Sequence, residues 1–236
     1  FRNGATGEVP AGESRRRKAP WAERLEARLL AGDGHGAWGV VEMAMSSGAS
    51  LDEVYLDVIT PAMESIGARW AAGELDVAAE HRATGIAFRL IGRLGPRFAR
   101  RGRSRGTVII GAPPGERHSL PIALLSDLLR GEGWEVSDLG ADMPVDSFVR
   151  TSLETPDLVA VGVSVTNVEC LDSAATLLGA LRTALEGTKV ATVVGGAAVR
   201  DAEHARALGA DWFSPSAREF AALLQRGGPS DAVDSA

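Results

Sequence analysis

From Thr107 to Phe213 short apolar runs alternate with longer amphipathic stretches, and this alternation leaves few folds open. The runs Thr107–Gly111, Trp134–Leu139, Leu158–Ser164, Lys189–Val194 and Ala210–Phe213 have strand length and are rich in Val and Ile. Between and after them, Ser119–Arg130, Val145–Glu154, Leu171–Glu186, Ala197–Leu208 and Ser216–Gln225 have the length and spacing of helices. Strands that alternate with helices pair in parallel, because each crossover returns the chain to the same edge. The expected result is a flavodoxin-like five-stranded parallel sheet in the order 2-1-3-4-5. Its binding crevice would open between the carboxyl ends of strands one and three.

The residues before Thr107 follow a different period. Trp21, Leu25 and Leu29/Leu30 recur at helical steps, and Gly32-Asp33-Gly34 breaks them off. A second short helix is expected over Ala37 to Met45. Leu51, Val54, Tyr55, Val58, Ile59, Met63, Ile66 and Trp70 then form one stripe at three- and four-residue intervals, a long helix with a bend near Pro61. Asp76 is placed to cap a further helix that carries Glu80, His81, Ile86, Phe88, Leu90 and Ile91 to about Leu94. The fold class is therefore α/β with an all-α N-terminal domain, a helical bundle of about four helices. The expected division is a flexible arm at 1–20, a bundle at 21–95, a linker at 96–106, the sheet domain at 107–226 and a disordered tail at 227–236.

Composition narrows the function. The net charge of -6 gives no global attraction to nucleic acid. The basic run Arg15-Arg16-Arg17-Lys18 and the arginines of the linker read as solvated charge. No window reaches the roughly 18 uninterrupted apolar residues of a membrane span, so a cytoplasmic protein is expected. A single cysteine, Cys170, excludes an intramolecular disulfide and any multi-cysteine metal site. There is no nucleophile elbow and no zinc spacing, and an enzyme is not expected.

The three loops at the carboxyl ends of strands one, three and four carry the informative residues. Gly111-Ala112-Pro113-Pro114-Gly115-Glu116-Arg117-His118 follows the first strand. It lacks the Lys-Ser/Thr of a phosphate loop. His118 here is a surface histidine, a general base or a metal ligand. Glu116, two residues earlier, can hold one ring nitrogen and leave the other free to coordinate. Ser164 to Asn167 ends the third strand, where Ser164 and Thr166 offer hydroxyls. Gly195-Gly196 follows the fourth, where missing Cβ atoms permit close approach to the backbone. In the bundle, Trp70 precedes Glu80-His81 with Gly73 between them, so a flat apolar side chain and two polar ones can fold back together. His35 and His204 lack evident partners, and Cys170 reads as a small buried residue.

Glu116-x-His118, Ser164 and Gly195-Gly196, in a five-stranded domain behind a helical bundle, resemble the cobalamin-binding module. Leu139-Gly140 followed by Pro144 resembles that family's second loop. Trp70…Glu80-His81 resembles the cap of the CarH-type adenosylcobalamin-dependent photoreceptors. The resemblance implies base-off binding of adenosylcobalamin with His118 as the lower ligand to cobalt and Glu116 as its partner. It implies that Ser164, Thr166, Gly195 and Gly196 line the slot for the dimethylbenzimidazole tail, and that Trp70, Glu80 and His81 cover the upper face. It further implies a light sensor signalling to a partner protein or to an output domain outside this chain, possible homo-oligomers included. Pro121 stands where the family's glycine is usual. Ala71 stands where light-regulated relatives carry a histidine. No helix-turn-helix precedes the bundle.

Two other readings share the fold. A corrinoid methyl-carrier protein serving a methyltransferase would use the same lower ligand but keep the upper face open to partners. A cofactor-free receiver domain would need an acidic cluster at strand one, where this chain has Gly111-Ala112, and an Asp after strand three, where it has Asn167.

Overall fold

The computed structural model describes residues 20–100 and 102–226. The arm expected at 1–20, save Pro20, and the tail expected at 227–236 lie outside the described residues.

The N-terminal helices are α1 (Trp21–Leu30), α2 (Gly34–Ser46), α3 (Leu51–Val54), α4 (Thr60–Ala71) and α5 (Val77–Leu94). The stripe of α5 buries Ala83, Ile86, Ala87, Leu90, Ile91 and Leu94, one face of a 3.6-residue period. Asp33 caps α2 by accepting from the Gly36 amide at 2.8 Å, and Ser50 with Glu53 forms a reciprocal capping box on α3. Asp76 stands at the N-cap of α5, but its side chain makes no capping bond. The bend expected near Pro61 is displaced by a turn. Tyr55–Ile59 forms a π-helical turn between α3 and α4. Pro61 has no N–H for the carbonyl four residues back, and the helix widens over the preceding turn instead of breaking.

The sheet comprises β1 (Thr107–Gly111), β2 (Glu135–Gly140), β3 (Leu158–Ser164), β4 (Ala191–Gly195) and β5 (Trp212–Ser214). Every pairing is parallel, in the order β2-β1-β3-β4-β5, as the alternation predicts. Its helices are α6 (Leu120–Gly131), α7 (Val145–Glu154), α8 (Leu171–Ala184), α9 (Ala202–Leu208) and α10 (Ala217–Gln225). On one face Ile109, Val161, Val163 and Val194 pack with Phe148, Leu177 and Leu181. On the other Val108, Ile110 and Val193 pack with Ile122, Leu129 and Phe220. A strand covered on both faces needs a continuous apolar run, as Ala160–Val163 supplies.

The stretch 197–201, expected to open a helix, is a turn. The Ala198 amide donates to the Val165 carbonyl and the Val199 amide to that of Gly196. Asp201 then caps α9 on the His204 amide at 2.7 Å. His204 is also not without a partner, since its Nδ1 accepts from the Arg200 amide.

The two halves share apolar surface. Phe98, Leu124 and Leu128 belong to the core of the bundle, so the helical cap rests on the outer side of α6. The expected linker is thus partly structural. Gly95–Arg97 forms a 3-10 turn, Phe98 is buried, and the Arg105 guanidinium stacks on Trp134. Among the described residues no helix is long and apolar enough to cross a membrane.

Candidate functional site

The register of the sheet brings the informative loops to one edge. Gly111 pairs with Gly140 on one side and Val163 on the other, and Ser164 pairs with Gly195. The carboxyl ends of β1 to β4 are therefore level, and the chain diverges there from β1 toward β2 and β3, where open parallel sheets leave a crevice.

Glu116 is the buried centre of this edge, with no exposed surface. One carboxylate oxygen, Oε1, accepts from the His118 amide at 3.0 Å and from His118 Nδ1 at 2.5 Å. The other, Oε2, accepts from the Thr166 and Asn167 amides, each at 2.7 Å. Burial would raise the carboxyl above its usual range. The bonds from the His118 ring and from the three amides outweigh burial and bring it down to about 2. The imidazole responds in the opposite sense. The bond to Glu116 raises His118 above its ordinary value, desolvation opposes this, and the charges of Glu116 and Glu80 add to the rise.

The consequence is an imidazole of fixed tautomer. Its Nδ1–H is committed to Glu116, and its Nε2 is left as a lone-pair donor on a side chain that is half exposed. Among the described residues no group of three or more His, Cys, Asp or Glu side chains could hold a metal ion. A single imidazole holds a metal only when that metal brings most of its ligands with it. A corrin, which supplies four equatorial nitrogens, meets that condition, so the donor set fits a cobalamin.

The other residues fall into place unevenly. Thr166 meets the site through its backbone N–H rather than its hydroxyl. Gly195 and Gly196 have steric reasons of their own. A Cβ on Gly195 would fall on the Ser214 carbonyl oxygen, and one on Gly196, at φ +105°, would fall on that of Val165. Glu80 accepts from Thr84 Oγ1 at 2.7 Å, and its charge adds to the rise at His118. His81 is 74% exposed, and its Nδ1 lies 2.8 Å from the Val77 carbonyl of its own helix. Trp70 is 46% exposed. Cys170 is buried, which raises its thiol, as do the charges of Glu116, Glu169 and Asp142.

Asp142, in the loop after β2, escaped the sequence reading. Its side chain accepts from the Gly115 amide at 2.7 Å, and its own amide donates to the Glu116 carbonyl at 2.8 Å. The run Gly140-Ala141-Asp142-Met143-Pro144 signals a turn, but a turn signal does not say which neighbouring loop it grips.

Comparison with known proteins agrees with the donor set. Residues 106–224 match a family described as B12 binding domain, and residues 21–94 match a second family of the same description. The trimethylamine corrinoid protein of Methanosarcina barkeri is 30% identical over 195 residues, covering 79% of this chain and 86% of that protein. The dimethylamine corrinoid protein of the same organism is 28% identical over 165 residues, covering 68% and 75%. The structure of the Methanosarcina barkeri monomethylamine corrinoid protein shares the fold, with a TM-score of 0.76 at 19% identity, over 88% of this chain and 98% of that one. These relatives overturn the expected light sensor: the similarity runs to amine corrinoid proteins and not to CarH-type photoreceptors. The chain belongs to the B12-binding family, and joins that family's helical domain to its parallel-sheet cobalamin-binding domain.

Proposed function

We propose that this protein is a corrinoid methyl carrier that serves a methyltransferase, with His118 as the lower axial ligand of the cobalt. The observation that carries corrinoid binding is the Nε2 of His118, left free by the bond from Nδ1 to a fully buried Glu116; the carrier role, as against a sensor with the same ligand, rests on the similarity to amine corrinoid proteins. A bound corrinoid would supply a cobalt centre able to carry a methyl group between partner proteins.

The residues of the chain do the rest. Glu116 holds the imidazole in one tautomer and, by its charge, makes Nε2 a stronger donor. Ser164, Thr166, Gly195 and Gly196 border the space beside it at the ends of β3 and β4 and are assigned to the nucleotide tail. Glu80 faces the site from α5. Trp70 is half-exposed and His81 mostly exposed, and the similarity to amine corrinoid proteins favours a methyl over an adenosyl group on the cobalt. The loaded cofactor is therefore assigned as a methyl-corrinoid. The trimethylamine and dimethylamine corrinoid relatives direct the first trials of methyl donors to methylated amines and their methyltransferases.

Titration of the protein with methylcobalamin and with adenosylcobalamin in the dark, followed by absorbance, tests the reading. Methylcobalamin is expected to bind at least about tenfold more tightly, a difference of about 1.4 kcal/mol. A preference of that size for adenosylcobalamin overturns the carrier assignment.

A further inference from the structure

Asp142 holds the loop that carries His118 by two bonds at once. Its Oδ1 accepts from the Gly115 amide at 2.7 Å and its N–H donates to the Glu116 carbonyl at 2.8 Å. To do so it adopts φ +53°, in the left-handed region, where Asp and Asn are the side-chain-bearing residues least penalised. Gly115, its acceptor's donor, is itself at φ +86°. The neighbouring backbone reinforces the grip. The Ala112 amide donates to the Gly140 carbonyl, and the Met143 amide to that of Ala112.

The opposite side of the same loop is held by β3. The Thr166 and Asn167 amides bind Glu116 Oε2, and Ser173 Oγ donates to the Pro114 carbonyl at 2.8 Å. Residues 112–116 are thus clamped between two loops that face each other across the crevice. The β3 side engages the Glu116 side chain. The β2 side, through Asp142, engages the backbone on which that side chain is mounted. Without the Asp142 bonds, the Glu116 carboxylate keeps its hydrogen bonds, but the backbone at 115–116 loses its direct hold from the β2 side and retains only those at Ala112, Pro113 and Pro114; a shift there carries the ring with it.

We infer that Asp142 is a positioning residue for the cobalt ligand, acting through the backbone of Gly115 and Glu116 and not by contact with the corrinoid. The inference rests on His118 being that ligand.

Three variants separate the parts of the role. Asp142→Asn keeps the acceptor and tolerates the left-handed backbone. Asp142→Gly removes the acceptor and relieves the backbone. Asp142→Ala removes the acceptor and retains the strain. Two readouts apply: hydrogen exchange of residues 112–119 in the corrinoid-free protein, and the nitrogen superhyperfine splitting and dissociation constant of the protein loaded with cob(II)alamin. The asparagine variant is expected to behave as the parent. The glycine variant is expected to melt within a few degrees of the parent, to exchange faster over 112–119, and to bind cob(II)alamin about 10–100-fold more weakly, the usual effect of removing a supporting contact behind a metal ligand. A glycine variant with parental exchange, or one with faster exchange but parental affinity and splitting, overturns the role. Protein labelled with 15N-histidine tests the underlying reading separately, because the dimethylbenzimidazole of the cofactor stays 14N: if the labelled parent lacks a 15N doublet, or if the doublet survives in labelled His118→Ala, His118 is not the ligand, whatever the Asp142 series shows.

Discussion

The Tyr55 hydroxyl donates to Asp127 Oδ2 at 2.9 Å, joining residues 72 positions apart across the seam between the helical cap and α6. Tyr55 opens the π-helical turn, and its ring packs against Phe98 at 4.7 Å between centroids. Asp127 also accepts from Arg130 Nη1 at 3.0 Å. Burial pushes the Tyr55 hydroxyl far above its ordinary value, and the charge and hydrogen bond of Asp127 push it further, so it stays a donor wherever the protein is folded. The far end of α5 joins this network, since the Tyr55 hydroxyl also lies 3.4 Å from the Ile91 carbonyl, while its start carries Glu80, whose charge acts on His118. Tyr55→Phe should cost about 1–3 kcal/mol in urea unfolding, because it strips a donor from a buried carboxylate. A double-mutant cycle with Asp127→Ala should show a coupling of about the same size. A coupling near zero would mean that the seam is held by apolar packing alone.

Glu116 sets how the corrinoid-free protein responds to acid. Its carboxyl falls from 4.5 unfolded to about 2 folded, so its stabilising contribution is present above about pH 4.5 and is lost as pH falls through about 2. At about 1.36 kcal/mol per pH unit this is at most about 3 kcal/mol. His118 carries the opposite sign. Its value is raised, so its contribution is complete below about 6.5 and is lost as pH rises through the folded value. The two titrate as a coupled pair. Melting temperatures of Glu116→Gln should therefore show a flatter acid limb between about pH 4.5 and 2 than the parent, and also a weaker decline above about pH 6.5.

The backbone topology was open to reading because its cause is local. Runs such as Val159–Val163 can only be doubly covered strands, and helices between them force parallel pairing. Glu116 and His118 were legible for the same reason, two side chains within reach on one short loop. What stayed hidden depends on contacts between distant segments. Tyr55 reads as one more apolar position in its stripe, and nothing near it announces Asp127. Asp142 reads as turn chemistry, because its partners, the Gly115 amide and the Glu116 carbonyl, are backbone groups that leave no trace in residue type. The boundary of α9 was missed because Ala198 and Val199 are buried in a turn, where an apolar pair imitates the start of a helix.

Gly196 and Gly140 both have positive φ, yet they should respond differently to alanine. Gly140, at φ +72°, faces open space, so Gly140→Ala meets only the left-handed penalty, about 1–2 kcal/mol. Gly196 adds a Cβ directly on the Val165 carbonyl, a backbone atom that cannot swing aside. That carbonyl also accepts from the Ala198 amide, so moving it disturbs the turn after β4. Gly196→Ala should cost more than Gly140→Ala in thermal unfolding and should weaken corrinoid binding as well. Equal melting temperatures for the two variants would show that the β4 turn relaxes around the added methyl.

His81 provides the sharpest contrast with His118. Both are histidines near Glu80, but only one is oriented outward as a donor. The His81 ring bonds back to the Val77 carbonyl and is 74% exposed, so it is held by its own helix and by no second element. An exposed residue in that setting is worth within about 0.5 kcal/mol to the fold. His81→Ala should leave the melting temperature and, in protein labelled with 15N-histidine, the doublet splitting of bound cob(II)alamin unchanged, whereas His118→Ala should abolish the doublet. The same logic extends to Trp70, whose half-exposed ring should be removable in Trp70→Ala with little effect on the fold. If His81→Ala instead changes the splitting, the ring leaves the Val77 carbonyl when the corrinoid is bound, and the start of α5 moves with it.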